Sequence, residues 1–306
     1  MTKVTKLYDF TQCELPDSLF NIKIHQKDID KEVTTAAEHF LTLEEQDGEI
    51  IGGDIVAVSV NSADELMNSE CDRFVIGKGF YSDEVENALL GKKKGDTVSV
   101  SYNGANADIT VLSVVRRIVP VLTDEMAAKL QIEDEEISTR DEYIDYVKSQ
   151  LESEDKEKKQ NAIWTLVSRK LLSESEFEID TAEIDKKYET DFNYLKEQLE
   201  DDIEEFMQAK YHCKTMEENL KKFKDDIKRS YLIFAIAEPQ AREEGIEWSE
   251  DDYNATIEAM VNDDYTVEEL KASMSYEDFT KQQAEDYLKE KVLEYFDDRF
   301  TVTLVD

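Results

Sequence analysis

Three histidines and three cysteines are the side chains of this 306-residue chain best suited to metal or nucleophilic chemistry, and their spacing supports neither. His25, His39 and His212 lie far apart. Only His212 has a second candidate ligand nearby, the adjacent Cys213, whose side chain leaves the backbone in another direction. A metal site needs three or four ligands that converge from a fixed spacing, so no metal is expected, and no sequence feature calls for a cofactor. Cys13, Cys71 and Cys213 are odd in number and scattered, which builds no disulfide framework and no CxxC site and fits a reducing compartment. The sequence has no GxSxG, GxxxxGK[ST], Rossmann glycine pattern or HExxH, and with them go the common hydrolase, nucleotide-binding and zincin readings. Carboxylate pairs such as Asp201–Asp202 and Asp251–Asp252 say nothing about acid–base work in a chain with 73 Asp and Glu residues. What remains is the chemistry of apolar contact. Phe192, Tyr194, Phe206, Met207, Tyr211, Met216, Phe223, Met260, Met274 and Phe279 are of the types suited to adaptable binding surfaces. The competing reading of each is packed core, and the run 231–237 reads as a buried helix segment.

Charge narrows the partners. With 36 Lys and Arg against the 73 acids, the net charge is −37. Such a polyanion repels phosphate backbones, so autonomous nucleic-acid binding and adhesion to anionic membranes are excluded as expectations. Apolar residues at 40% with 9 Gly and 3 Pro give enough material for a core and little linker composition. The first residues contain no apolar run of signal-peptide length, and no later stretch reaches the length of a membrane span. The expectation is a cytoplasmic protein of two or three structural units.

The elements divide at Pro120. Before it, a short alternating piece at 20–24 leads into a helix over 27–43, with Ile29, Val33, Ala36, Ala37 and Phe40 on one face. Runs rich in β-branched residues follow at 54–60, 73–76, 96–102 and 108–115, with a short helix at 83–90 and a glycine turn at 91–96. Eight of the nine glycines lie between Gly48 and Gly104, the punctuation of a compact β-rich domain. After Pro120 helical periodicity takes over, with helices over 141–172, 182–209, 216–244, 249–261, 267–272 and 276–299. Thr139, Asp180 and Ser249 stand where N-caps belong. Helices of about 25 to 30 residues extend roughly 40 Å, long enough to project as arms. The predicted class is α+β: a small antiparallel β-domain with one short helix, and a larger all-α domain of long helices. The predicted boundaries are 1–50 for an N-terminal extension with linker strand and helix, 51–119 for the β-domain and 120–306 for the helical domain.

The stretch 74–96, Phe-Val-Ile-Gly-Lys-Gly-Phe-Tyr-Ser-Asp-Glu-Val-Glu-Asn-Ala-Leu-Leu-Gly-Lys-Lys-Lys-Gly-Asp, resembles the core segment of FKBP-type prolyl isomerases. Around it stand Leu122-Thr-Asp-Glu-Met-Ala-Ala-Lys-Leu, Ile137-Ser-Thr-Arg-Asp-Glu-Tyr-Ile-Asp-Tyr-Val-Lys, Phe177-Glu-Ile-Asp and Val267-Glu-Glu-Leu, in an order that resembles the trigger factor family over residues 19–306. The resemblance implies a reduced FKBP-like domain joined to a trigger factor C-terminal, SurA-like helical chaperone domain whose arms cradle unfolded chains.

Two departures modify that implication. Trigger factors carry an amino-terminal ribosome-binding domain with a basic loop, whereas only 19 residues precede the strand at 20–24 here, and the strong negative charge opposes ribosomal RNA. The isomerase pocket of the family is a desolvated aromatic cup. Matched by motif, its positions become Val60, Phe74, Tyr81, Ser82, Val85 and Ile109, of which Phe74 alone keeps the family's ring, and the flap between Tyr102 and Ala107 shrinks to Asn-Gly-Ala-Asn. A prolyl amide rotates over a barrier of about 18–20 kcal/mol, which a site without enclosure lowers little. The function expected is a chaperone that binds unfolded, partly folded or nascent polypeptides away from the ribosome, with weak or absent peptidyl-prolyl isomerase activity. The alternative is an active FKBP-type isomerase. Self-association as a homodimer is compatible with either.

Overall fold

The computed structural model describes residues 2–62, 64–102, 104–133, 135–262 and 264–306. In chain order its strands and helices are β1 (Lys3–Lys6), β2 (Asn21–His25), α1 (Gln26–Ala37), β3 (Thr42–Glu45), β4 (Ile55–Ser62), β5 (Ser69–Val75), α2 (Asp83–Leu89), β6 (Thr97–Tyr102), β7 (Ala105–Ile118), α3 (Asp124–Ala127), α4 (Arg140–Glu174), β8 (Glu176–Glu178), α5 (Thr181–Leu199), α6 (Ile203–Tyr211), α7 (Met216–Glu243), α8 (Glu250–Met260), α9 (Val267–Ser273), α10 (Tyr276–Asp297) and β9 (Thr301–Val305). The chain divides into two compact units, Ile24–Leu151 with Leu304–Asp306 and Met1–Lys23 with Glu152–Thr303. The class is α+β, as the sequence predicts.

The first unit is built on an antiparallel sheet, of five strands among the described residues, ordered β3-β7-β4-β5, with β6 also on β7. β7 is its spine: one edge pairs with β4, and the other takes β6 along its first half and β3 at its end. Its buried residues alternate as Ala107, Ile109 and Val111, then skip to Val114. The skip is a bulge, since Ala57 faces Ser113 while Val58 faces Val111, leaving Leu112 unpaired and exposed. Val58, Val60, Phe74, Ile109 and Val111 form the buried face, covered by Val85 and Leu89 of α2. The predicted turn at 91–96 needs glycine at both ends, with φ of +76° at Gly91 and +90° at Gly95. The helix expected over 27–43 ends at Ala37 as an α-helix, because Thr42–Glu45 are drawn onto the free end of β7 as β3, Thr42 opposite Ile118.

The second unit buries Ile163, Val167 and Leu171 of α4, Ile233, Ile236 and Ala237 of α7, and Ala284, Leu288, Val292 and Phe296 of α10 in one core. Spacings of three and four residues put each set on one stripe of its helix. Residues from the start of the chain join them: Cys13, Leu15 and Phe20 are part of the same core. Composition divides the chain at 50 and 119, but packing does not follow composition. Residues 1–23 go with the helices through these three side chains, and 120–151 go with the sheet unit, where Leu122 and Ala127 pack with Ala36 and Ala37.

Helix starts follow the sequence closely. Thr215, Ser249, Thr266 and Ser275 each form a reciprocal capping box with an acid three residues on. At α7 the Thr215 hydroxyl accepts from the Glu218 amide at 3.2 Å and the Glu218 carboxylate accepts from the Thr215 amide at 3.3 Å. Replacing Thr215 with alanine is expected to cost about 1 kcal/mol of unfolding free energy in urea titration, while Thr215→Ser stays near the parent. In the helical unit the expectation that differs is the helix over 182–209. It breaks at Glu200, which takes φ of +45°, so that α6 can turn Met207 and Tyr211 into a second core with Ile184, Phe223, Ile227 and Tyr231.

Candidate functional site

In the sheet unit the positions matched to an isomerase pocket gather around Phe74. β5 delivers Phe74, and the loop after it reverses through Gly77 and Gly79, both at positive φ. The buried Glu86 of α2 holds this loop by accepting hydrogen bonds from the amides of Gly77 and Tyr81. The result is an aromatic group of three: Phe80 stacks on Phe74 at 5.3 Å, and Tyr81 stands edge-on to both, at 5.1 Å from Phe74 and 5.2 Å from Phe80. The Tyr81 hydroxyl donates to the Asp72 carboxylate. Val60, Val85 and Ile109 are buried members of the same core as Phe74, while Ser82 is exposed at the start of α2. Asn103, within the shortened flap, lies outside the described residues. Phe80 was not among the matched positions, yet it is the member of the group open to solvent, 59% exposed. Its signal in the sequence is an aromatic next to Tyr81 just after a Gly-Lys-Gly turn. The arrangement offers the exposed Phe80 ring for stacking. Phe80→Ala is therefore expected to change unfolding free energy by less than about 1 kcal/mol while removing that ring.

In the helical unit the predicted contact residues divide by burial. Met207, Tyr211, Phe223 and Phe279 are core, Phe192, Tyr194, Met216 and Met274 are half-buried, and Phe206 and Met260 are exposed, at 36% and 47%. The second core brings Phe192, Met207, Tyr211, Met216 and Phe223 together, and Phe192 stacks on Tyr188 at 5.9 Å. Met274 and Phe279 belong to a separate cluster with Tyr253, Ile257 and Leu270. Tyr265, Tyr276 and Tyr295, which residue type alone did not single out, are also exposed. Tyr194 and Phe223 line a cleft of about 670 Å³ together with Leu195, Asp191 and Asp278.

That cleft has a charged floor. The Lys187 ammonium bonds Asp191 at 2.6 Å and Asp278 at 2.7 Å, joining α5 to α10. Burial alone would lower the Lys187 pKa, but the two carboxylates hold it above its ordinary value. Burial likewise pulls Asp278 upward and is outweighed by Lys187 and the Ser275 cap, so Asp278 stays below the usual carboxylate range. For Asp191 burial wins and the pKa is raised. Nearby, the Lys281 ammonium sits over the Tyr231 ring, 3.4 Å from its centre, and burial lowers its pKa despite its bond to Glu277. These groups pair with one another and tie helices together. Among the described residues no His, Cys, Asp or Glu group is placed to hold a metal, and no helix is long and apolar enough to cross a membrane.

Residues 139–296 match the family described as bacterial trigger factor protein C-terminus. The trigger factor of Shouchella clausii (strain KSM-K16) is 23% identical over 290 residues, covering 88% of this chain and 65% of that protein. The trigger factor of Clostridioides difficile (strain 630) is 25% identical over 245 residues, covering 74% and 56%. The chain thus spans less than two thirds of the length of either relative. A solved trigger factor chaperone, described for promiscuous substrate recognition in folding and assembly activities, aligns over 98% of this chain and 79% of its own with a TM-score of 0.46 and 20% identity. With over half of its length matched to the family's C-terminal domain, the chain belongs to the trigger factor family.

Proposed function

We propose that this chain is a chaperone of protein folding that holds unfolded or partly folded polypeptides on its helical unit, acting in the cytoplasm without docking on the ribosome, and that its FKBP-like sheet unit is a weak or inactive prolyl isomerase. The observation that carries the reading is the family match across α4 to α10. Exposed and half-buried Phe, Tyr and Met side chains on those helices support it, since such side chains adapt to many apolar sequences. The net charge of −37 supports the rest: it keeps an apolar-binding surface soluble and opposes phosphate-rich partners, ribosomal RNA included. Homodimerisation is the oligomeric state we would test first, by sedimentation.

The test of the main reading is light scattering from a refolding model protein with and without the chain, run beside a proline-tetrapeptide isomerisation assay. Suppression of scattering with little isomerisation is the expected result. Isomerisation without suppression would reverse the ranking. The second reading, an active isomerase, is favoured by the Phe74, Phe80 and Tyr81 group. It requires that Phe80→Ala abolish turnover, whereas on the chaperone reading Phe80→Ala leaves scattering suppression unchanged.

A further inference from the structure

β8 is a three-residue strand between α4 and α5, and the segment paired with it comes from the start of the chain. β1 runs antiparallel to it, with Lys3 opposite Glu178, Val4 opposite Phe177 and Lys6 opposite Glu176. Two further bonds flank the ladder: the Tyr8 amide donates to the Ser175 hydroxyl at 2.9 Å, and the Asp180 amide donates to the Thr2 hydroxyl at 3.1 Å. The attachment is uneven. From Cys13 onward the segment is anchored, with Cys13, Leu15 and Phe20 buried in the core. Before Cys13 Thr2 is buried, but the apolar side chains Val4, Tyr8 and Phe10 are only half-buried on it, and Leu7 faces solvent. The Lys6–Glu176 ion pair is exposed on both sides and contributes little. A two-stranded ladder of this length is marginal by itself. The ladder's backbone bonds and one inward apolar side chain are contacts that any extended peptide with the same alternation can make.

We propose that the edge of β8 on which β1 lies is a strand-accepting site for extended segments of client polypeptides, and that residues 2–12 are a strap that occupies it until a client displaces them. The proposal rests on the client-binding reading and adds its regulation. Because the strap is tethered at Cys13, it competes at a high effective concentration. Only a client already held elsewhere on the helices, or present in excess, takes its place. The strap therefore sets a threshold for engagement.

The test uses the full chain with Val4→Cys and Phe177→Cys in a Cys71→Ser background. Facing residues of an antiparallel pair lie within disulfide reach, so oxidation locks the strap and reduction frees it. The probe is a fluorescein-labelled peptide with the sequence of residues 2–12, read by anisotropy, beside scattering of a refolding model protein. The expected result is at least tenfold weaker peptide binding in the oxidised protein, with binding restored by reduction. Val4→Asp, which puts a charge where the strap's inward apolar side chain packs and adds no cross-link, is expected to bind the peptide several-fold more tightly than the parent. Equal peptide binding in oxidised, reduced and Val4→Asp proteins overturns the proposal. If scattering is suppressed equally in all of them, client binding stands and the strap falls alone. If none of them suppresses scattering, the client-binding reading falls and takes the strap with it.

Discussion

Replacing Asp54 with alanine is expected to destabilise the sheet unit by about 3 kcal/mol, at the lower end of the range for breaking a buried ion pair. Asp54 is buried just before β4. Its carboxylate accepts from the Arg116 side chain at 3.0 Å (Nε) and 2.9 Å (Nη2), and from the Ile51 amide at 3.0 Å. The same Nη2 also donates to the Glu49 carbonyl at 3.0 Å, so one guanidinium ties the segment before β4 to the end of β7. The lower end applies because the Arg116 side chain is 29% exposed and water can solvate it once its partner is gone. Domains are stable by about 5–15 kcal/mol, so the loss is large. Hydrogen exchange of β4 and β7 amides against those of α7 would localise it. Unchanged protection of the two strands would show that the pair is dispensable.

The same pair gives the sheet unit a pH dependence of known sign. Burial pushes the Asp54 carboxyl up, but the hydrogen bond from Arg116 and that from Ile51 outweigh it, and the pKa ends below its ordinary value. An unfolded aspartate titrates near about 3.9. Its contribution is therefore complete above that pH and is lost as pH falls through the lower folded value. Asp54→Asn, which keeps one acceptor oxygen, should be less destabilised than the alanine variant at neutral pH and should lack this acid-dependent part.

Phe20→Ala is expected to cost the helical unit about 3–5 kcal/mol, the usual range for emptying a buried aromatic site. The ring lies 5.9 Å from that of Phe296 and 5.5 Å from that of Phe300. The Arg299 guanidinium covers it at 3.8 Å, a contact of about 0.5–2 kcal/mol. The backbone is engaged too, since the Thr301 amide donates to the Phe20 carbonyl at 2.8 Å. Far-UV circular dichroism in urea would read the shift in midpoint, and Phe20→Leu should recover part of it. A midpoint within about 0.5 kcal/mol of the parent, the usual scale of a surface change, would mean that residues 13–20 only lie against the helices.

Phe20 also marks what was hard to read in the sequence. The long helices announce themselves through apolar residues three and four apart and through caps such as Thr215 and Ser249, because both signals are local. Cys13, Leu15 and Phe20 follow no helical or strand period, and their common destination exists only once α4, α7 and α10 have formed a core to receive them. β1, β8 and β9 are short and carry polar residues, so their strand character comes from a partner distant in sequence. The break at Glu200 has no glycine or proline to announce it; burial of Met207 and Tyr211 selects it. Residue type found the aromatic and Met positions but not their faces, which is why Phe279 lies inside and Met260 outside. Phe80 escaped for the opposite reason, as a side chain whose partner Phe74 lies across a glycine turn.

The placement of Trp164 and Trp248, the two tryptophans of the sequence, decides which part of the molecule light can interrogate. Both belong to the unit built on Glu152–Thr303, and the Trp164 indole donates to Glu285, whose carboxylate is gripped by Arg229. Emission excited at the red edge of the indole band is thus a domain-selective reporter, blind to the melting of the sheet. A sheet unit that melts apart from the helices would leave no step in such an optical curve and would surface in calorimetry as a second heat-absorption peak.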